Sequence, residues 1–178
     1  MKLRKTTLLL GLLALIIAAL PACNQTPAKK SANTGTVYYR SILFSETPWD
    51  TERGGHELTP DQAKDVNSYK FMYDENNRLK SVEFVRGDEL LGYSSMGGAA
   101  KIVYDYSDGK QLKHFFDENL QPIESGGAFT HEYTLDEKGV RTALRFLDKD
   151  GQPVENRNKI HNYVWTILPD GKLQEKRY

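Results

Sequence analysis

The sequence predicts a mainly β protein. It reads as an antiparallel array of β-hairpins with a period of about 32 residues and one short inserted helix, behind an N-terminal signal peptide. Three observations predict this. Apolar residues from 69 onward recur at every second position rather than every three or four. Asn, Asp and Gly turn signals bound each apolar segment. The turns keep a nearly fixed spacing, at 77, 109, 139 and 171, with a second series at 87, 119 and 151.

Residues 1–22 read as the signal peptide. Lys2, Arg4 and Lys5 give a positive start, and Thr6 to Leu20 is an apolar run without charge. Its 15 residues fall short of a spanning helix and match a signal-peptide core. The run ends at Leu20-Pro21-Ala22-Cys23, which holds the only Cys of the chain. These four residues resemble the lipobox of bacterial lipoproteins. The resemblance implies a diacylglycerol on the Cys23 thiol, cleavage before Cys23 and acylation of the new amino end. It implies a membrane partner through that lipid and a place in the bacterial cell envelope, in the outer membrane if the source is Gram-negative, since Asn24 stands where Asp would retain the protein at the inner membrane. Two or three acyl chains, at about 0.8 kcal/mol per buried CH2, anchor a protein stably.

Residues 23–35 read as a lipidated tether. The stretch after Cys23 carries Pro27, Lys29, Lys30, Ser31, Asn33 and Gly35 and offers no large apolar residue to bury. Extended, it reaches about 40 Å.

Residues 36–178 read as the β-hairpin domain. Val37 to Phe44 is a strand and Ser45 to Arg53 a loop. Thr59-Pro60-Asp61-Gln62 then carries a capping box, with Thr59 as N-cap and Pro60 at N1, so 59–67 reads as a short helix stopped near Asn67. The helix reads as an insertion between Gly54-Gly55 and Tyr69, because the matching pairs Gly97-Gly98 and Gly126-Gly127 are followed much sooner by Tyr104 and Tyr133. Strands follow in pairs. Tyr69, Phe71 and Tyr73 alternate, then Val82 and Phe84. Ile102, Tyr104 and Tyr106 pair with Leu112 and Phe116. Tyr133 and Leu135 pair with Val140, Thr142, Leu144 and Phe146. Tyr163, Trp165 and Ile167 precede a last strand, Lys172 to Tyr178, whose charges suit a protected edge; it reads either as the natural edge or as the point where a fragment stops. Aromatics are expected on one face, and Lys, Arg, Glu and Asp on the other.

The segments Tyr73-Asp74-Glu75-Asn76-Asn77-Arg78-Leu79, Phe116-Asp117-Glu118-Asn119 and Leu147-Asp148-Lys149-Asp150-Gly151-Gln152-Pro153 resemble the Tyr-Asp hairpin repeats of RHS-type bacterial proteins, and less closely MORN-type repeats. The resemblance spans roughly residues 69–178. It implies a hairpin array and a surface for contacts, and it carries no catalytic residue with it.

Composition narrows the function classes. The 178 residues hold 24 Lys and Arg against 24 Asp and Glu, which lacks the basic footprint of a nucleic-acid binder. Without residues 1–22 the balance is 21 basic to 24 acidic, while all 19 aromatics remain. One Cys excludes an intramolecular disulfide framework. Of the four His, His131 and His161 sit in phase 30 residues apart, but no metal-binding spacing supports them, and no cofactor is expected. Ser95 and Ser125 each precede a Gly pair and read as link geometry rather than nucleophiles. The Asp residues fall in turns and read as structural. The 47–57 loop is the candidate binding region, with Trp49, Arg53, His56 and Glu57, beside Asp50 and Glu52. The favoured reading of Trp49 and the helix is that they cap the open end of the sheet. The expected function is a noncatalytic, membrane-anchored lipoprotein that contacts an envelope protein or glycan. The alternative is an envelope hydrolase with its site near this loop.

Overall fold

The computed structural model describes residues 35–43, 51–92 and 94–178. The segment read as a signal peptide, Cys23, most of the stretch read as a tether, and Trp49 lie outside the described residues. Among the described residues no helix is long and apolar enough to cross a membrane.

The alternating segments form strands, and four Asp-led segments form turns of one design. In the turns begun by Asp74, Asp117, Asp136 and Asp148, the Oδ1 atom accepts the amides two and four residues on, at 2.8–3.0 Å. The backbone amide of the same Asp donates to the carbonyl four residues on. The third residue after the Asp must then enter the left-handed region. Asn77, Gly139 and Gly151 do so at φ 59, 77 and 78°, which Asn and Gly tolerate best. One member of the second turn series departs from expectation by one residue: Leu120, not Asn119, takes the positive φ of 59°, while Gly87 and Gly151 take it as expected. Asn156 repeats the design with an amide oxygen in place of a carboxylate.

Eleven strands make one antiparallel sheet among the described residues. They are β1 (Gly35–Leu43), β2 (Arg53–Leu58), β3 (Asn67–Tyr73), β4 (Leu79–Arg86), β5 (Glu89–Leu90), β6 (Lys101–Ser107), β7 (Lys110–Phe116), β8 (Thr130–Leu135), β9 (Arg141–Leu147), β10 (Asn162–Ile167) and β11 (Leu173–Arg177). From β3 to β11 the strands follow one another as a meander, with β5 a short extra partner of β4. The start differs. β1 lies between β2 and β3, so the edge strand is β2. Both neighbours run antiparallel to β1, hence parallel to each other, and no tight turn can join them. The helix α1 (Pro60–Lys64) carries that crossing.

Two expectations at this end change. Arg53 to Leu58 is a strand, not the end of a loop, and Gly54 and Gly55 pair with Ile42 and Ser41 instead of forming a link. Gly54 is required there, since a Cβ would lie 2.0 Å from Cγ of Tyr39. The capping box of α1 is present: Gln62 N donates to Thr59 Oγ1 at 3.2 Å and Thr59 N to Gln62 Oε1 at 2.9 Å. The helix stops at Lys64, and Asn67 opens β3.

The sheet has a distinct inner and outer face. Phe71, Val82, Ile102, Tyr104 and Phe115 form one buried cluster, closed over by Met96 and Ala99 from the β5–β6 link. Tyr133, Leu144, Phe146 and Trp165 form a second with Ala128 from the β7–β8 link. The outer face carries cross-strand ion pairs, Lys101 with Glu83 at 2.8 Å and Arg145 with Glu132 at 2.5 Å.

The faces do not separate by polarity as expected. In β7 the inward residues are Gln111, Lys113 and Phe115, at 5%, 5% and 2% exposure, whereas Leu112 and Phe116 point the other way and are half-buried. Register decides this: Tyr104 pairs with Lys113 and Ile102 with Phe115. In β9 a register shift opposite Thr134 and Leu135 places Arg141 across from Leu135. Arg141 is therefore buried, while Val140 and Thr142 are only half-buried.

Candidate functional site

The loop residues chosen from sequence do not converge. Arg53, His56 and Glu57 are exposed on the edge strand β2, with His56 at φ 58°. Trp49 lies outside the described residues. Glu52, beside them, is the one that reaches the inner face. Its carboxylate accepts from Lys113 Nζ and from the Tyr104 hydroxyl. The Glu52 and Lys113 side chains are only 10% and 6% exposed. A buried ion pair of this kind needs further hydrogen bonds to hold it, and Tyr104 supplies one.

Next to this pair is His131. Both ring nitrogens are closed to solvent and meet no hydrogen-bond partner of ordinary geometry among the described residues, the Ser125 backbone being the polar group that acts on the ring. Its ring meets Phe115 and Phe146 edge-on, with centroids 4.8 and 5.1 Å away. Burial, reinforced by the positive charges of Lys113 and Arg141 and only partly opposed by the Ser125 backbone, pushes its pKa down to about 3. At neutral pH it is an uncharged imidazole. A cavity of about 290 Å3 is lined by Glu52, Lys113, Phe115, His131, Ser95 and Ser125, among others. Both serines sit in links, as expected. Ser95 Oγ is 2.7 Å from the Tyr69 hydroxyl, and Ser125 Oγ donates to the Gly97 carbonyl at 3.4 Å.

A larger groove of about 810 Å3 lies at the turn end of the same face. Thr51 borders both spaces. Two guanidinium groups stack on tyrosines here, Arg78 over Tyr106 at 4.4 Å and Arg141 over Tyr133 at 3.6 Å. A polar chain joins them: Arg141 Nε donates to Gln111 Oε1 at 2.8 Å and Gln111 Nε2 to the Tyr106 hydroxyl at 2.7 Å. That hydroxyl in turn donates to the Leu79 carbonyl at 3.0 Å. Burial raises the Tyr106 pKa against the pull of Gln111 and the two arginines, so the phenol keeps its proton. Lys110 and Lys138 stand at the groove's border.

His161 stands apart, exposed, with Nε2 3.4 Å from Glu155 Oε1. Among the described residues no group of three or more His, Cys, Asp or Glu is placed to hold a metal. Sequence reasoning missed Lys113, Gln111 and Arg141. Their signal was a polar residue in the inward phase, which becomes readable only once strand register is known.

Compared with known proteins, the chain matches no family model, no curated protein and no solved structure.

Proposed function

We propose that this chain is a lipid-anchored protein of a bacterial cell envelope whose sheet binds an envelope protein or glycan without transforming it. The lipobox-like Leu20 to Cys23 segment behind a signal-peptide-like start supports the anchor and the location. The turn spacing of about 32 residues and the hairpin-repeat resemblance support reading the sheet as a contact array. The observation that carries the binding half is the groove with its two arginine–tyrosine stacks, a polar and aromatic surface suited to recognition. Glu52 is ion-paired with Lys113 and accepts a hydrogen bond from Tyr104. Glu57, the other carboxylate of the 47–57 stretch that is described, is exposed on an edge strand, so the hydrolase alternative gains no acid–base pair.

The test has two arms. Cys23→Ala is expected to move the protein from the membrane to the soluble fraction; unchanged fractionation removes the anchor. Crosslinking the intact protein in its native envelope is expected to capture a partner, and Arg78→Ala with Lys138→Ala to reduce that capture. A groove variant that captures as well as the parent protein would falsify the groove as the contact surface.

A further inference from the structure

The sequence holds three Asp-Gly pairs, at 108–109, 150–151 and 170–171, and no Asn-Gly pair. An aspartyl carboxyl followed by glycine can be attacked by the glycine's own backbone nitrogen, because no Cβ hinders the approach. The fold holds the three pairs differently. In the turn begun by Asp148, the Asp150 amide donates to Asp148 Oδ1 at 2.9 Å and the Gly151 amide to the Asp148 carbonyl at 3.2 Å. In the last turn the Gly171 amide donates to the Leu168 carbonyl at 2.8 Å. The Asp170 carboxylate accepts there from the Lys172 amide at 3.1 Å and from Lys172 Nζ at 2.8 Å. These bonds lower the Asp170 pKa and favour the ionised carboxylate, a poor electrophile.

Asp108 and Gly109 are held by neither device. They form the two-residue loop of the β6–β7 hairpin, closed by the Ser107–Lys110 pair. Both are exposed, at φ 33 and 73°, as a type I′ turn requires. Neither the Asp108 carboxylate nor the Gly109 amide has a hydrogen-bond partner among the described residues. Asp108 also sits in the left-handed region, which costs a residue with a Cβ more than it costs glycine.

We propose that Asp108 is a site of spontaneous backbone isomerisation, converting to isoaspartate in the folded protein through its unrestrained link to Gly109. The Gly109 nitrogen gives up its proton and bonds to Asp108 Cγ, and the carboxyl's hydroxyl leaves with that proton as water. The cyclic imide then takes up water. Entry at Cγ returns aspartate. Entry at the Asp108 backbone carbonyl carbon breaks its bond to the Gly109 nitrogen, so the chain runs on through Cβ and Cγ and a new carboxylate stands on Cα. Water leaves and water enters, and nothing is oxidised or reduced. The Gly109 carbonyl accepts the Leu135 amide at 2.7 Å, which ties this hairpin tip to β8. An extra methylene in the backbone lengthens the loop and pulls on that bond. Asp108 and Gly109 also border the larger groove, so the new carboxylate stands on its rim. The site and the contact reading above stand independently of each other.

The experiment ages the full chain warm at mildly acidic pH, folded in detergent micelles and, in parallel, unfolded in urea. Isoaspartate at each Asp-Gly pair is measured by enzymatic methyl transfer and by fragmentation mass spectrometry. In the folded protein it is expected to accumulate at 108 several-fold faster than at 150 or 170, and in urea the three rates should converge. Equal rates in the folded protein, or an excess at 108 that persists undiminished in urea, overturn the proposal. Asp108→Glu keeps the charge but needs a larger ring to close, so it should show no conversion at that position. Hydrogen exchange at the Leu135 amide should rise in the aged parent protein and not in aged Asp108→Glu. Unchanged Leu135 exchange in parent protein converted at 108 overturns the structural consequence. If Asp108→Glu does not fold, the parent's folded and unfolded rates still decide.

Discussion

At the scale of single residues, the inner face is defined by charges placed where apolar side chains were expected. Lys113 and Glu52 come from segments 61 residues apart and are almost fully buried together. Removing one partner strands the other, so Lys113→Met or Glu52→Leu alone should lose about 3–5 kcal/mol in urea unfolding. The double variant should lose clearly less than the sum of the two, and additive losses would mean the pair is not coupled. His131 makes a separate prediction about pH. Its pKa is about 3 in the folded protein against an ordinary 6.5. Above 6.5 neither state binds the proton and the residue adds no pH dependence. Between 6.5 and about 3 the unfolded chain takes up a proton that the folded protein refuses, so stability falls on acidification by up to about 1.4 kcal/mol per pH unit. Below about 3 the effect levels off. The difference in stability slope between the parent and His131→Phe, measured from pH 7 to 5 where carboxylates stay ionised, isolates this group.

At the scale of elements, local chemistry was legible and pairing was not. The Asp-led turns and the capping box of α1 use side chains bonding their own backbone within four residues, so sequence alone displays them. The identity of β2 was hidden because its strand character comes from β1, and its two glycines read as a link until Tyr39 is seen to fill the space beside Gly54. The phase of β7 was hidden because Leu112, Phe115 and Phe116 put apolar residues in both phases, and only pairing with β6 selects between them. The candidate site suffered for the same reason: Glu52 was within the region singled out, but its partners Lys113 and Tyr104 are register positions on distant strands. Gly54→Ala tests the edge directly. The added methyl has no room beside the Tyr39 ring, so the variant should lose about 2 kcal/mol or more by urea unfolding, and a neutral result would mean β2 is not held against β1 as described.

At the scale of the molecule, one sheet carries two buried clusters, one built mainly on β3 to β7 and the other on β8 to β10, bridged by the His131 ring between Phe115 and Phe146. Strands contact chiefly their neighbours, so damage should stay near its origin. Phe71, fully buried in the first cluster, should cost about 3–5 kcal/mol when changed to Ala. Hydrogen exchange should then rise most in β3, β4 and β6, with β9 and β10 retaining more of their protection. An equal rise in every strand would instead show that the two clusters open as one cooperative unit.

The placement of β1 has a mechanical consequence. A strand at a sheet's border can be peeled away one hydrogen bond at a time, but β1 is clasped from both sides. Its first half, Gly35 to Tyr39, is laddered to β3, and Tyr38 to Leu43 is laddered to β2. Traction on the chain ahead of Gly35 therefore loads the β3 ladder first and passes to the β2 ladder through Tyr38 and Tyr39, which are bound on both flanks. The domain takes up tension from its N-terminal side through an interior strand rather than at a loose border.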